Sequence, residues 1–159
     1  MAQKIKALNP DMKILYMIDW NVAAHIGTGL PRDFRLQTVY GEPICFYGWD
    51  VNPPSSMMTP NFSDVGPTVD GQQATDWFAD FIVNKRDLTV FDGLATDGLY
   101  GGKGFSKQVP TTIPLDMNLN GVSDWEEHAD TRAWFLQHWN AGVTNLLNAI
   151  RQKIGDNKY

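Results

Sequence analysis

Residues 116–127 read Asp-Met-Asn-Leu-Asn-Gly-Val-Ser-Asp-Trp-Glu-Glu, and this spacing suits calcium. Calcium is a hard cation that takes about six to eight oxygen ligands. Asp116, Asn118 and Asn120 offer side-chain oxygens on alternate residues, and Gly121 permits a sharp turn. Val122 offers its backbone carbonyl, Asp124 can act through a water, and Glu127 can close the shell with both carboxylate oxygens. The pattern fits a single EF-hand-like loop. Ser123 stands where paired hands prefer an aliphatic residue, and Pro110 and Pro114 leave no room for an incoming helix. A structural ion is therefore expected, not a paired calcium sensor. An Asn/Asp-rich turn that caps a helix without metal is the alternative.

A second group of residues suits a different chemistry. Asp19 ends the apolar run 13–19 and Asp97 ends the run 88–97. If both runs are strands of a parallel sheet, their acids lie on its carboxyl edge, where α/β proteins place their chemistry. Paired carboxylates on one rim suit cleavage of a glycosidic bond, one as nucleophile or base and the other as acid. Trp20, Asn21 and His25 follow Asp19, Trp49 and Asp50 end a third apolar run, and Tyr100 follows Asp97. Of the six tryptophans, Trp77, Trp134 and Trp139 fall on helical apolar faces, whereas Trp20 and Trp49 adjoin loops and suit sugar platforms. The bland alternative for Asp19 and Asp97 is that they bond backbone amides at strand ends. Asp92, at the start of its run, reads as structural. His25, His128 and His138 do not make a metal cluster by spacing. The glycine-rich stretch 98–104 fails the phosphate-loop spacing.

The elements that must position these residues follow from periodicity. The runs 13–19 and 88–97 read as strands buried on both faces. Between them Ala74, Trp77, Phe78, Phe81 and Ile82 mark an amphipathic helix, with Asp70 and Gln73 as its expected capping box. Strand, helix, strand in that order implies a parallel crossover. Leu136, Trp139, Val143, Leu146, Leu147, Ile150 and Ile154 predict a long helix over 129–154, closed by Gly155. Residues 20–70, rich in Gly, Pro, Asn and Ser, read as a long insertion with short strands near 36–40 and 44–49.

With 159 residues, 43% of them hydrophobic, the chain can fill one core, so 1–159 is expected to form one α/β domain. Net charge of −5 argues against nucleic acid and anionic membranes as partners. No apolar run approaches the roughly 20 residues that span a bilayer. Cys45 is alone, which rules out an intrachain disulfide and suits a buried position. No secretory signal stands at the start. The first residues read as a helix already under way, which implies a piece of something longer. An extracellular location is expected if that longer protein is secreted.

Three places resemble the glycoside hydrolase-like (β/α)8 barrels of bacteria. They are Ile18-Asp19-Trp20, the helix at 74–82 with Phe91-Asp92-Gly93-Leu94-Ala95-Thr96-Asp97 after it, and the Asp/Asn/Gly-rich loop 116–127 leading into a long helix. The resemblance implies a barrel fold, carbohydrate as substrate or ligand, and Asp97 as the leading catalytic residue. A complete barrel needs about 250 residues, so the expectation is a half-barrel of parallel strand–helix units whose open edge self-association would cover. Two functions follow: a glycoside hydrolase-like segment with paired rim acids and structural calcium, or a non-catalytic, calcium-stabilised module for carbohydrate binding or self-assembly.

Overall fold

The computed structural model describes residues 1–19, 29–45, 50–51, 58–85, 88–97, 110–156 and 158, with Ile18, Asp19, Asp50, Lys85 and Asp97 described through their backbones. In chain order the elements are α1 (Ala2–Leu8), β1 (Leu15–Asp19), a 3-10 turn (Arg32–Phe34), β2 (Gln37–Thr38), β3 (Ile44–Cys45), β4 (Asp50–Val51), α2 (Ala74–Lys85), β5 (Gly93–Asp97), β6 (Leu115–Asp116), α3 (Asp124–Glu127) and α4 (Thr131–Ile154).

The core lies where α2 meets α4. Phe78, Ala79 and Ile82 of α2 and Phe135, Trp139, Val143, Leu146 and Ile150 of α4 are buried, the three- and four-residue spacing that puts side chains on one helical face. Phe62 fills the space between the helices, edge-on to Phe78 at 5.1 Å and tilted on Trp139 at 6.0 Å. An ion pair between Asp80 and Lys153, at 2.7 Å, closes the rim of this interface. Gly142 allows the closest approach. A Cβ built there would fall 1.6 Å from the carbonyl oxygen of Phe62, so only glycine lets the helix lie on that backbone. The amide of Asp64 donates to His138 O at the same seam (3.2 Å).

Helix α4 starts where Asp130 accepts the N–H of Ala133 (3.1 Å) and stops at Gly155, with φ of 79°. Its stripe differs from the expected one: Leu147 is 43% exposed, Leu136 and Ile154 are only half-buried, and Phe135 is buried instead. Helix α2 starts without the expected capping box. Asp70 and Gly71 form a turn at positive φ, and the Gln73 side chain turns back to Asp64 O and Gly66 O. Backbone acceptors in the preceding loop thus claim the side chain that the box would need.

Strands β1 and β5 run parallel, with Leu15 opposite Gly93 and Asp19 opposite Asp97. Asp92 locks the start of this pair. Its carboxylate accepts from Lys6 Nζ (2.8 Å) and from the Ile14 amide (2.7 Å). The lysine contact first, and then the amide, hold its pKa below the ordinary value. The pair is not buried on both faces, as its apolar run led one to expect. Leu15 and Met17 are 44% and 67% exposed, while Tyr16 and Leu94 pack against the core.

The half-barrel is overturned. Among the described residues the strands form three separate two-stranded sheets, and only β1–β5 is parallel. The β2–β6 and β3–β4 pairs are antiparallel and two residues long. A barrel wall needs consecutive parallel strands of matched length. Here Pro43 and Pro60, each without an N–H to give, take single bridges to Gln37 and Arg35 instead of extending a strand. The fold is mixed α/β. Part of the segment read as an insertion lies at its centre: Leu30, Phe34, Leu36, Ile44, Cys45 and Phe62 are all buried. No helix among the described residues is long and apolar enough to cross a membrane.

Candidate metal centre

The loop of residues 116–127 is anchored at both ends before any ion is considered. At its start Asp116 pairs with Gln37 across β6 and β2. Buried Asn61 donates from Nδ2 to Met117 O at 2.6 Å. At its end Trp125 Nε1 donates to Ile113 O (2.8 Å), and Thr131 Oγ1 donates to Asp124 O (2.8 Å).

Between the anchors the backbone folds around its own side-chain oxygens. Asp116 Oδ1 accepts the amide of Asn120 (3.0 Å) and Oδ2 that of Gly121 (2.8 Å). Asn118 Oδ1 also accepts from the Asn120 amide (3.1 Å), and Asn120 Oδ1 accepts from Val122 (2.8 Å). Such local bonds are what short Asx side chains offer a turning chain. Leu119 and Gly121 turn through positive φ, 55° and 84°. Glycine bears this without penalty, whereas a γ-branched residue such as Leu119 needs the surrounding bonds to hold it there.

The acids converge on this turn. Glu127, from the end of α3, reaches back so that Asn120 Nδ2 donates to Oε1 (2.8 Å) and Asn118 Nδ2 to Oε2 (3.3 Å). A half-turn of either amide would present oxygen beside Glu127 and give up the bond that oxygen now accepts from the Asn120 or Val122 amide. Asp124 is fully buried. Its Oδ2 accepts the Met117 amide (3.0 Å), but Oδ1 is buried with no hydrogen-bond partner. Burial, opposed by the Met117 amide and then reinforced by the charges of Asp116 and Glu127, pushes its pKa up to about 7. A buried carboxylate oxygen without a donor is costly, and a cation beside it would remove both that cost and the repulsion among the acids. The six expected ligand residues Asp116, Asn118, Asn120, Val122, Asp124 and Glu127 offer hard oxygen, the donor type that Ca2+ takes.

The expected strand-end site is resolved in part. Asp19 and Asp97 are register partners on parallel strands, which brings two acidic positions to one sheet edge. Asp50 lies in β4, opposite Cys45, in another strand pair. Trp20, Asn21, His25, Trp49 and Tyr100 lie outside the described residues.

Two histidines gain partners that their spacing in sequence did not announce. His138 Nδ1 lies 2.6 Å from Asp64 Oδ1, an interaction across 74 residues. His128 stacks on Trp134, with centroids 3.8 Å apart, and its Nε2 lies 3.6 Å from Glu127 Oε2. Comparing histidines only with one another hides the signal for His128, which is its place one residue after a ligand-type glutamate. No family model matches the chain, and no curated protein or solved structure matches it.

Proposed function

We propose that this chain is a calcium-binding α/β module in which residues 116–127 hold one Ca2+ ion that fastens α4 to the core. The observation that carries this reading is the Glu127 carboxylate drawn across the loop onto the Asn118 and Asn120 amides, beside the buried, partnerless Oδ1 of Asp124. Asp116 and Glu127 supply charge, the two asparagines and the Val122 carbonyl supply neutral oxygens, and Asp124 acts directly or through a water. Two neutral amides among the ligands favour the weaker part of the EF-hand range, about 10⁻⁵–10⁻³ M. Calorimetric titration of the chelator-treated chain with Ca2+ tests this. One saturable site is expected, lost in Glu127→Gln. Heat no greater than that of dilution sinks the reading.

A second reading is favoured by the register of Asp19 against Asp97. Two acids on one parallel edge suit hydrolysis of an O-glycosidic bond, with Asp97 as nucleophile or base and Asp19 as its acid partner. The calcium loop would then stabilise an enzyme. Turnover of chromogenic glycosides and polysaccharides by the chain, abolished in Asp97→Asn, is the expected result. Sugar binding without turnover assigns the chain instead to a non-catalytic carbohydrate-binding module. Self-assembly over the exposed Leu15 and Met17 belongs to that same non-catalytic reading and is read from the sedimentation coefficient.

A further inference from the structure

The short helix α3 and the residue that caps it carry three metal-ligand side chains that the calcium loop does not absorb as a set. Asp124 and Glu127 stand at i and i+3 on one face of α3, and His128 follows as its extended C-cap, its amide bonded to Asp124 O (3.2 Å). Their ligand atoms lie within 4.8 Å of one another. Two atoms in this group are buried and without hydrogen-bond partners: Oδ1 of fully buried Asp124 and Nε2 of His128. Each belongs to a side chain that is already held. The other Asp124 oxygen accepts the Met117 amide, and the His128 ring lies stacked on Trp134.

An orphaned imidazole nitrogen is not explained by calcium, which takes oxygen. Imidazole with carboxylates is a donor set for zinc and its neighbours in the first transition row. We propose that Asp124, Glu127 and His128 form a second metal site, which takes a zinc-class divalent ion through one oxygen of each acid and Nε2 of His128, with water in the remaining position. Around a tetrahedral ion with bonds of about 2.0–2.1 Å, ligand atoms lie about 3.3 Å apart, so the three must close by an ångström or so. Glu127 is the exposed member of the set, and its side-chain torsions supply that movement. Buried Asp124 and stacked His128 are the fixed members. This site does not depend on the calcium reading. Because it shares Asp124 and Glu127 with the calcium shell, the two ions compete where both bind.

The test uses the full chain after chelator treatment, with Zn2+ as the probe. Titration with Zn2+ is expected to shift the ring resonances of His128 and to leave those of His138 in place. His128→Gln is expected to weaken Zn2+ binding at least about tenfold and to leave Ca2+ binding unchanged. Asn120→Ala, which removes a calcium donor and one hydrogen bond to Glu127 but no zinc ligand, is expected to spare Zn2+ binding, so a failed calcium reading and a failed zinc site are told apart. Zn2+ that moves other histidines and not His128, or that binds His128→Gln as tightly as the unaltered chain, overturns the proposal. So does an unaltered chain that binds no Zn2+, a result that requires no variant to fold.

Discussion

Asp124 accepts the amide of Met117 at 3.0 Å, and through that one bond the start of the 116–127 loop is tied to the turn of helix at its end. The second oxygen of the same carboxylate is buried and partnerless, and burial raises the group's pKa from 3.8 to about 7. The folded, ion-free chain therefore holds this proton more tightly than the unfolded chain does. Its contribution to stability is complete below about pH 4 and is lost as pH rises through about 7. Thermal midpoints measured in chelator should fall between about pH 5 and pH 7.5, and Asp124→Asn should flatten that fall. Asp80 and Asp92, whose partners lower their pKa values, are ionised throughout this window and do not contribute to it.

Calcium bound as proposed would reverse the sign. The ion needs the ionised carboxylate, so alkaline conditions strengthen binding where they weaken the ion-free fold. With free Ca2+ at about a hundred times the dissociation constant, stabilisation amounts to about 2.7 kcal/mol. In a chain of this size that raises the melting midpoint by about 5–10 °C. Glu127→Gln should remove most of the increase and leave the midpoint in chelator nearly unchanged. An equal rise in the variant would mean that the ion binds elsewhere.

Asn61 offers a test that involves no metal ligand. It donates to Met117 O at 2.6 Å and accepts from both the amide and the hydroxyl of Ser63 (3.2 and 2.7 Å). Asn61→Ala would leave these buried groups without partners and should cost about 2–4 kcal/mol in urea unfolding. It should also weaken the proposed calcium binding, because Met117 lies between the first two ligand residues, Asp116 and Asn118. A cost under about 0.5 kcal/mol, the size of an ordinary surface substitution, would mean that the anchor is unimportant.

Gly142→Ala sets helix propensity against packing. Alanine favours an isolated helix over glycine by about 1 kcal/mol. Here the added methyl would meet the Phe62 carbonyl oxygen at 1.6 Å and its carbon at 2.7 Å. Backbone cannot change rotamer to make room, so a net loss of about 2 kcal/mol or more is expected. Asn148→Ala, on an exposed face of the same helix, should be neutral or slightly stabilising. Chemical denaturation of both variants measures the contrast.

What could be read from sequence was what is encoded locally. The 116–127 loop has its ligand types fixed within twelve consecutive residues, and the helices at Ala74–Lys85 and Thr131–Ile154 announce themselves by side-chain period. The parallel pairing of Leu15–Asp19 with Gly93–Asp97 followed from strand–helix–strand order. The barrel failed because sheet closure depends on pairings between distant segments, which no local pattern states. Similarly, nothing near Gln73 signals that Asp64 O and Gly66 O would compete for its side chain. The partnership of His138 with Asp64 spans 74 residues and leaves no periodic trace.

Helix α4 joins the two regions for which function is proposed. Thr131, at its first turn, holds Asp124 O. Just past its last turn, Lys158 reaches the carbonyls of Leu88 and Phe91, at the entrance to β5. Its 24 residues make a rod about 36 Å long, so a tilt of about 5° about its midpoint carries each end through about 1.5 Å. An ion held at one tip, as proposed, would therefore bear on where the other tip stands beside the start of β5.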